Sequence, residues 1–433
     1  MQNNIIKYFK LEEKNTTLKK EFISGALTFV SLSYVLFLIP ALLRQAGMGY
    51  AAPFTAVCVA SAVMCISMGL IGNSPVPLAP LLSASLFFVF SAVVDFELTW
   101  KQALTAVLVE GAVFLLITIF NVRDFIVSTI PASLKYAVYA GIGIFMILLG
   151  FRWAGIAVVG SKSLLAMGNI SQPAVVTSML GILAVLILFL RGIKGPLMFG
   201  SLITLVIAII AGVFKLNGIV SLPPSMEPVF FNFAWPKTAK IADFIFVVVM
   251  LLYVHTFDSL AGAVKAQPGN RKLSIIDAAG TVIGALLGAP NTGSSIEGNA
   301  GGISAYGKTG VANITTGLLF LAALFLYPVF KMLGSGVELK TGILYPVAAP
   351  VLILLGMLML QKLQKINLAD LSESFPAILT LLIVPFTANI AHGLAFGVIA
   401  YPIVKLIQGK FKEVPVTVYV LAVLFLVYYI FFY

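Results

Sequence analysis

Ionisable side chains stand inside apolar stretches of this sequence that are long enough to cross a membrane. Glu297 follows a glycine-rich run, and Asp258 lies in an apolar stretch one helical turn after His255. A carboxylate at bilayer depth is costly unless it is paired, protonated or hydrated. Residues three positions apart share one face of a helix, so His255 and Asp258 could share a proton. These residues are candidates for binding a solute and a coupling proton.

Hydroxyl side chains accompany the acidic residues. Ser83 and Ser85 follow a proline-rich run and could face the segment that holds Ser295 and Glu297. Small hydroxyl residues also serve as ordinary packing material between membrane helices. Two acidic groups with hydroxyls suit a neutral ligand rich in N–H donors, or a cation, and argue against a free anion.

Two segments that carry these residues cannot be regular helices throughout. Residues 73–80 hold three prolines, and residues 288–299 are polar and rich in glycine within an apolar region. Non-helical backbone at membrane depth is tolerated where protein buries it or where it lines a wet cavity. Broken segments at matching positions of two repeats are the best indication in a sequence of a transport site.

The composition is that of an integral membrane protein. Of 433 residues, 60% are hydrophobic and 10% are charged, and the mean hydropathy is +1.07. The basic residues behind the net charge of +11 are not concentrated in one domain, so a nucleic-acid partner is not expected. With a cytoplasmic N-terminus, most of the 27 Lys and Arg fall on the cytoplasmic side, as the positive-inside rule requires. The two histidines, His255 and His392, cannot build a zinc site alone, and no metal or cofactor is expected.

The apolar pattern predicts an all-α polytopic membrane protein with about fourteen segments in two inverted repeats of seven, since an odd number of spans inverts the second copy. The segments are expected near 22–43, 54–72, 76–92, 101–120, 132–151, 174–190, 195–213, 242–264, 275–289, 292–306, 309–331, 341–361, 374–390 and 394–408. Residues 415–433 form a last apolar helix that either spans the membrane or lies at its surface.

One stretch suggests a different function. Residues 302–309, GISAYGKT, match the phosphate-binding pattern G-x-x-x-x-G-K-[ST]. A P-loop needs a buried apolar strand before it and a soluble α/β sheet around it. Here a polar run precedes the match and a membrane segment follows it. Nucleotide hydrolysis is therefore not expected, and the protein is not expected to be an enzyme.

The sequence resembles the nucleobase-cation symporter 2 superfamily, and within it the azaguanine-resistance-like purine permeases. The resemblance runs over nearly the whole chain and is carried by ordered short motifs: Pro77-Leu78-Ala79-Pro80, Phe257-Asp258, Ile296-Glu297, Gly307-Lys308-Thr309-Gly310, Phe375-Pro376-Ala377 and Ala395-Phe396-Gly397. The chain departs from the family pattern at four places. Ser85 stands where relatives have a binding asparagine, and His255 where they often have an acidic residue. Residues 291–295 replace a threonine run before Ile-Glu, and residues 257–261 alter the Phe-Asp-x-x-Gly pattern.

The resemblance implies a core domain and a gate domain, with segments three and ten beginning as short strands that cross at the substrate. The domains would be a cytoplasmic N-terminus (1–21), a first repeat (22–213; core 22–120, gate 132–213), a second repeat (242–408; core 242–331, gate 341–408) and the C-terminal helix (415–433). It also implies that Asp258 and Glu297 contact the base, that transport is of the elevator type, and that a homodimer could form through the gate.

Together these observations predict a secondary active transporter in the inner or plasma membrane that imports a purine or related nucleobase, coupled to a proton or to sodium. The substrate-binding candidates are Glu297, Asp258, Ser85, Ser83 and Ser295, and the proton-coupling candidates are Asp258, Glu297 and His255. The alternative is a transporter of the same fold that carries another small heterocycle, a carboxylate or an inorganic anion.

Overall fold

The computed structural model describes residues 6–120, 122, 130–160, 163, 165–216, 218–261, 271–294, 307–339 and 342–433. The chain is mostly helical. Within the described part, eight helices are long and apolar enough to span a membrane, and several shorter apolar helices lie among them. This agrees with the predicted class, a polytopic helical membrane protein.

The first repeat runs from the N-terminal segment to residue 210. Its helices and strands are α1 (Leu18–Leu32), α2 (Val35–Gln45), α3 (Ala51–Leu70), β1 (Ala79–Pro80), α4 (Leu82–Leu86, continued as a π-helix over Phe87–Asp95), α5 (Trp100–Ile119), α6 (Ala132–Trp153), β2 (Ala157–Val158), β3 (Ala166–Met167), α7 (Pro173–Leu190) and α8 (Pro196–Ile210).

In the second repeat the β-hairpin comes before the helix that matches α6 rather than after it, and the described helices and strands follow in chain order. They are α9 (Ile241–Ala261), α10 (Arg271–Leu287), β4 (Thr292–Gly293), α11 (Gly310–Ala323), α12 (Tyr327–Leu333), β5 (Val337–Leu339), β6 (Gly342–Leu344), α13 (Ala349–Leu360), α14 (Leu371–Thr387) and α15 (Ile390–Ile407), with α16 (Val416–Phe431) following them.

The helix contacts of the two repeats correspond. Helix α3 packs on α11 as α10 packs on α5, and α1 packs on α11 as α9 packs on α5. Likewise α6 packs on α14 as α13 packs on α7, and α7 packs on α8 as α14 packs on α15. In each comparison, exchanging the two repeats converts the first helix contact into the second, which is the pattern expected of inverted repeats.

The same contacts divide the helices into two groups. One group, α1–α5 with α9–α12, meets at the short antiparallel pair β1–β4, and the other is α6–α8 with α13–α15. Within the second group, α6 and α13 approach closely, and a Cβ added at Gly143 would lie 2.6 Å from the carbonyl oxygen of Gly356. Small residues permit such close approach of helices in a bilayer.

Segment twelve differs from the prediction. The sequence places a span over 341–361, but β5 and β6 form a hairpin and the helix begins only at Ala349. Gly342 has a φ of +127°, which the turn of the hairpin requires and which other residues rarely adopt. The start of α15 also differs, because the Asn389 side chain accepts from the Ala391 N–H at 2.7 Å and so caps the helix before the predicted residue 394.

Candidate substrate and proton site

The site is built around the point where β1 and β4 cross. Ala79 pairs with Gly293 and Pro80 with Thr292, and the Leu81 N–H donates to the Asn291 carbonyl at 2.8 Å. Prolines before and within β1 prevent a helix there, and the chain turns helical only from Leu82. The crossing therefore fixes where α4 begins and where its first side chains lie.

Ser83, in the first turn of α4, contacts Asp258 on α9. The Ser83 hydroxyl donates to Oδ2 of Asp258, and both side chains are buried. A hydroxyl and a carboxylate from separate repeats thus meet beside the crossing strands. Such a pair can offer acceptor oxygens to the N–H groups of a ligand.

Ser85 is also buried, but its hydroxyl has a local partner. Oγ donates to the carbonyl of Leu81, one turn earlier in the same helix, at 2.6 Å. The oxygen keeps its capacity to accept a hydrogen bond. The structure therefore distinguishes two serines that the sequence treats alike.

His255 lies one turn before Asp258 on α9 and has a different partner from the one suggested by sequence spacing. Its Nδ1 is 2.9 Å from Oε1 of Glu110 on α5, and its ring lies 4.1 Å from that of Phe114, centroid to centroid. His255 and Glu110 are both fully buried. The described contacts thus pair His255 with Glu110 and Asp258 with Ser83.

Glu110 was missed in the sequence analysis. Its other oxygen, Oε2, accepts from the Asn291 side-chain amide at 2.5 Å, so the carboxylate joins α5, α9 and the residue before β4. The signal was present in the sequence, because Glu110 is the one acidic residue in the twenty-residue apolar helix α5. Its partners are more than a hundred residues away along the chain, so helical spacing could not indicate them.

A second carboxylate behind β4 was also missed. Asp277 on α10 is fully buried, and its Oδ1 accepts from the Ser294 N–H at 2.7 Å. A Cβ on Gly293 would lie 3.2 Å from this Oδ1 and 3.5 Å from Nε2 of His255. Glycine at this position lets the strand lie against both groups.

Two predicted site residues, Glu297 and Ser295, lie outside the described residues. In the part of the chain that the structure describes, no cluster of three or more His, Cys, Asp or Glu could hold a metal ion.

A cavity of about 560 Å³ lies between the two helix groups, at the end of the bundle opposite the start of α1. Gln45, Arg152 and the aromatic rings of Phe90, Trp153 and Tyr345 are among its lining residues. Phe90 of the first group also contacts Phe145 of the second edge to face, with ring centroids 5.1 Å apart. The cavity thus borders the boundary that a relative movement of the groups would alter.

Comparison with known proteins identifies the scaffold. The sequence model of the Permease family matches residues 19–396. The chain is 33% identical to the guanine/hypoxanthine permease PbuO of Bacillus subtilis, over 97% of this chain and 99% of that one. It is 32% identical to the adenine permease AdeP of Escherichia coli, over 99% and 97% of the two chains.

A solved structure, the transmembrane domain of a cyanobacterium bicarbonate transporter, BicA, is similar with a TM-score of 0.64 and 13% identity. The alignment covers 87% of this chain and 97% of that domain, and at this identity it shows the fold alone. The fold, the family match and the apolar helices agree with one another: the chain is a multi-pass membrane protein of the permease family that comprises the nucleobase-cation symporter 2 transporters and their azaguanine-resistance-like branch.

Proposed function

We propose that this permease is a secondary active transporter that imports a purine or a related nucleobase by proton symport. The observation that carries the proposal is the buried Ser83–Asp258 pair, which joins the two repeats beside the crossing strands. A neutral base presents ring N–H groups and exocyclic amines, and these would donate to acceptor oxygens of this kind. The names of the relatives, permeases for guanine, hypoxanthine and adenine, support the same cargo class.

Five residues form the proposed binding site. Asp258 and Glu297 bind the donor groups of the base, Ser83 orients Asp258, and Ser85 and Ser295 act as further acceptors. Asp258, Glu297 and His255 are the candidates for the coupling proton. Glu297 is included in the proposed site because of the family resemblance and because it lies five residues after Thr292 of β4.

The proposed movement is of the elevator type. Core regions 22–120 and 242–331 would move against gate regions 132–213 and 341–408. Support comes from the two helix groups, whose internal contacts are extensive and which meet along few elements, and from the cavity between them. With the N-terminus in the cytoplasm of a cell or inner membrane, this cavity faces outward and would admit the base. A homodimer would form through the gate.

The competing cargoes are another small heterocycle and, in a different chemical class, a small carboxylate or inorganic anion. The likeness to a bicarbonate transporter concerns the fold and does not favour an anionic cargo. The carboxylates of Asp258 and Asp277 near the crossing would repel an anion unless they were protonated. A thermal-shift screen of nucleobases against small anions separates the two cargoes, since the proposal expects stabilisation by nucleobases and not by anions.

The decisive variant is Glu297→Ala. We expect uptake of radiolabelled purine to be abolished while the protein still reaches the membrane. Glu227→Ala, at an exposed carboxylate, is the matched control and keeps wild-type uptake. Undiminished uptake by Glu297→Ala contradicts the assignment of this residue. A competition panel of adenine, guanine, hypoxanthine, xanthine and uracil, with and without a protonophore, identifies the base and the coupling ion.

A further inference from the structure

Glu110 occupies an unusual position for a buried carboxylate. It is fully buried, and its described partners are two: Nδ1 of His255 at 2.9 Å and the Asn291 side-chain amide at 2.5 Å. One proton lies between Glu110 and His255, whichever of the two atoms carries it. When that pair holds one further proton, it is an imidazolium beside a carboxylate and has no net charge. Without it, a buried negative charge remains, which is costly.

The other ring nitrogen of His255, Nε2, is not part of the contact with Glu110. Nε2 of His255 is buried and has no hydrogen-bond partner among the described residues. It lies beside β4, near Gly293, where the missing side chain leaves room. The second proton of the imidazole can therefore arrive at an atom that faces the crossing strands.

Asn291 connects this pair to the substrate side. Its amide binds Glu110, while its backbone carbonyl accepts the Leu81 N–H at 2.8 Å. Leu81 precedes the helix that carries Ser83, Ser83 contacts Asp258, and Asp258 lies three residues after His255. These contacts form a closed ring, so a shift of the Glu110 carboxylate moves the strands that position Ser83.

The titratable groups around the ring come from four helices, α3, α5, α9 and α10. They are Glu110 on α5, His255 and Asp258 on α9, and Asp277 on α10, whose Oδ1 accepts from the Ser294 N–H. Cys65 on α3 lies behind β1, where its Sγ donates to the Leu78 carbonyl at 3.2 Å. Of the described residues, the ion-pairing partner of Glu110 is His255.

We propose that Glu110 is a positioning residue for transport, which holds the coupling proton together with His255 and conveys its presence through Asn291 to the crossing strands. This inference rests on the proposed function, proton-coupled nucleobase transport, and deepens it. With the proton bound, the neutral pair holds Asn291 and the strand in the arrangement described. On release of the proton to the opposite side, the remaining charge weakens that arrangement and the base leaves. One proton enters and one leaves in each cycle.

The test uses purified protein in liposomes and two assays. Counterflow exchanges labelled for unlabelled base without net proton movement, and accumulation is driven by an imposed pH gradient. For Glu110→Gln we expect counterflow to fall by less than about threefold, while gradient-driven accumulation falls by at least about tenfold. We expect uptake by the wild type to depend steeply on pH and uptake by Glu110→Gln to be nearly independent of pH. Glu110→Asp, which keeps the carboxylate, restores part of the pH dependence.

Three results overturn the inference. Equal losses in both assays assign Glu110 a purely structural role, and unchanged accumulation with an unchanged pH profile removes it from coupling. If Glu110→Gln does not fold, His255→Gln tests the same pair from the other side. Failure of both variants and of Glu110→Asp to fold assigns the pair to stability alone.

A second measurement does not depend on the cargo. Proton release from detergent-solubilised protein, titrated with a pH indicator across the range in which histidine ionises, counts titrating groups without substrate. The double variant Glu110→Gln, His255→Gln, which removes both members of the pair, should release about one proton fewer than the wild type. An equal count contradicts the proton pair even if the protein carries some other solute. Absence of nucleobase counterflow in the wild type contradicts the proposed function instead.

Discussion

Two fully buried glutamates of this protein, Glu21 and Glu110, have opposite environments. Glu21, at the start of α1, accepts four hydrogen bonds: from the backbone N–H groups of Lys308 and Thr309 at 3.0 and 3.1 Å, and from the hydroxyls of Thr309 and Thr16 at 2.8 and 2.7 Å. Glu110 has two described partners, and one of them is titratable. Burial alone therefore does not distinguish a carboxylate that holds the fold together from one that takes part in chemistry. The number and type of the hydrogen-bond donors around the carboxylate do.

Glu21 also joins the start of α1 to the start of α11 at one end of the first helix group. Glu21 accepts hydrogen bonds from backbone N–H groups at the start of α11, which have no carbonyl of a preceding helical turn to bind. The helix dipole also favours a carboxylate at this position. Lys14 adds hydrogen bonds from its ammonium group to the carbonyls of Asn73 and Lys308. At this end of the bundle both oxygens of Glu21 accept hydrogen bonds, whereas at the crossing of the strands His255 Nε2 and Asn291 Oδ1 have no partner among the described residues.

The largest expected effect is on stability, from the same substitution made at both sites. Glu21→Gln replaces an acceptor by an amide that faces donors, and should lower the free energy of unfolding by at least about 3 kcal/mol. Glu110→Gln keeps a partner for Asn291 and should cost only about 1 kcal/mol. Thermal unfolding in detergent micelles gives the ranking. Equal destabilisation by the two variants would mean that the number of donors does not separate the sites.

A smaller effect, on substrate affinity, separates the two serines of α4. Ser83→Ala removes a hydrogen bond to a carboxylate and should raise the KM for the base about tenfold. Ser85→Ala, two residues away and equally buried, removes an acceptor whose hydroxyl proton is already donated to Leu81, and should raise KM by the smaller factor of less than about threefold. Uptake kinetics on membranes with equal amounts of protein measure both. A larger effect at Ser85 would contradict the order given by the structure.

The smallest effect is expected at Lys308, the lysine of the GKT match. Its side chain is exposed, and its backbone N–H, which binds Glu21, is retained in Lys308→Ala. Uptake should be unchanged, and the free energy of unfolding should change by no more than about 0.5 kcal/mol. An ATPase activity that disappears in this variant would instead revive the nucleotide-binding interpretation.

The sequence predicted those features that depend on local chemistry. Proline between 75 and 80 and the glycine-rich run after 288 predicted broken segments, and the structure places β1 and β4 there in antiparallel contact. The polar partners could not be predicted in the same way. Spacing along α9 suggested that His255 and Asp258 interact, because only neighbours in sequence are visible from a helical pattern. Their actual partners, Glu110 and Ser83, come from other segments and depend on how the repeats pack.

Helix ends follow the same rule. The Thr99–Gln102 capping box and the Asn389 cap set the starts of α5 and α15, and each could be recognised from the residues concerned. The hairpin of β5 and β6 was missed, because Ile343 and Leu344 of β6 run on into the apolar segment that follows and were read as part of it. The antiparallel pairing of β5 with β6 determines the structure of this segment.

The correspondence of contacts between the repeats has a consequence for the second state of the transport cycle. Since each helix contact recurs with the two repeats exchanged, the second conformation of the proposed movement would give each repeat the internal geometry of its twin. The twins also differ, since the hairpin β5–β6 precedes α13, whereas β2–β3 follows α6, the counterpart of α13. In the proposed movement, the inward-facing and outward-facing forms would thus differ by which repeat adopts which of two geometries already present in one chain.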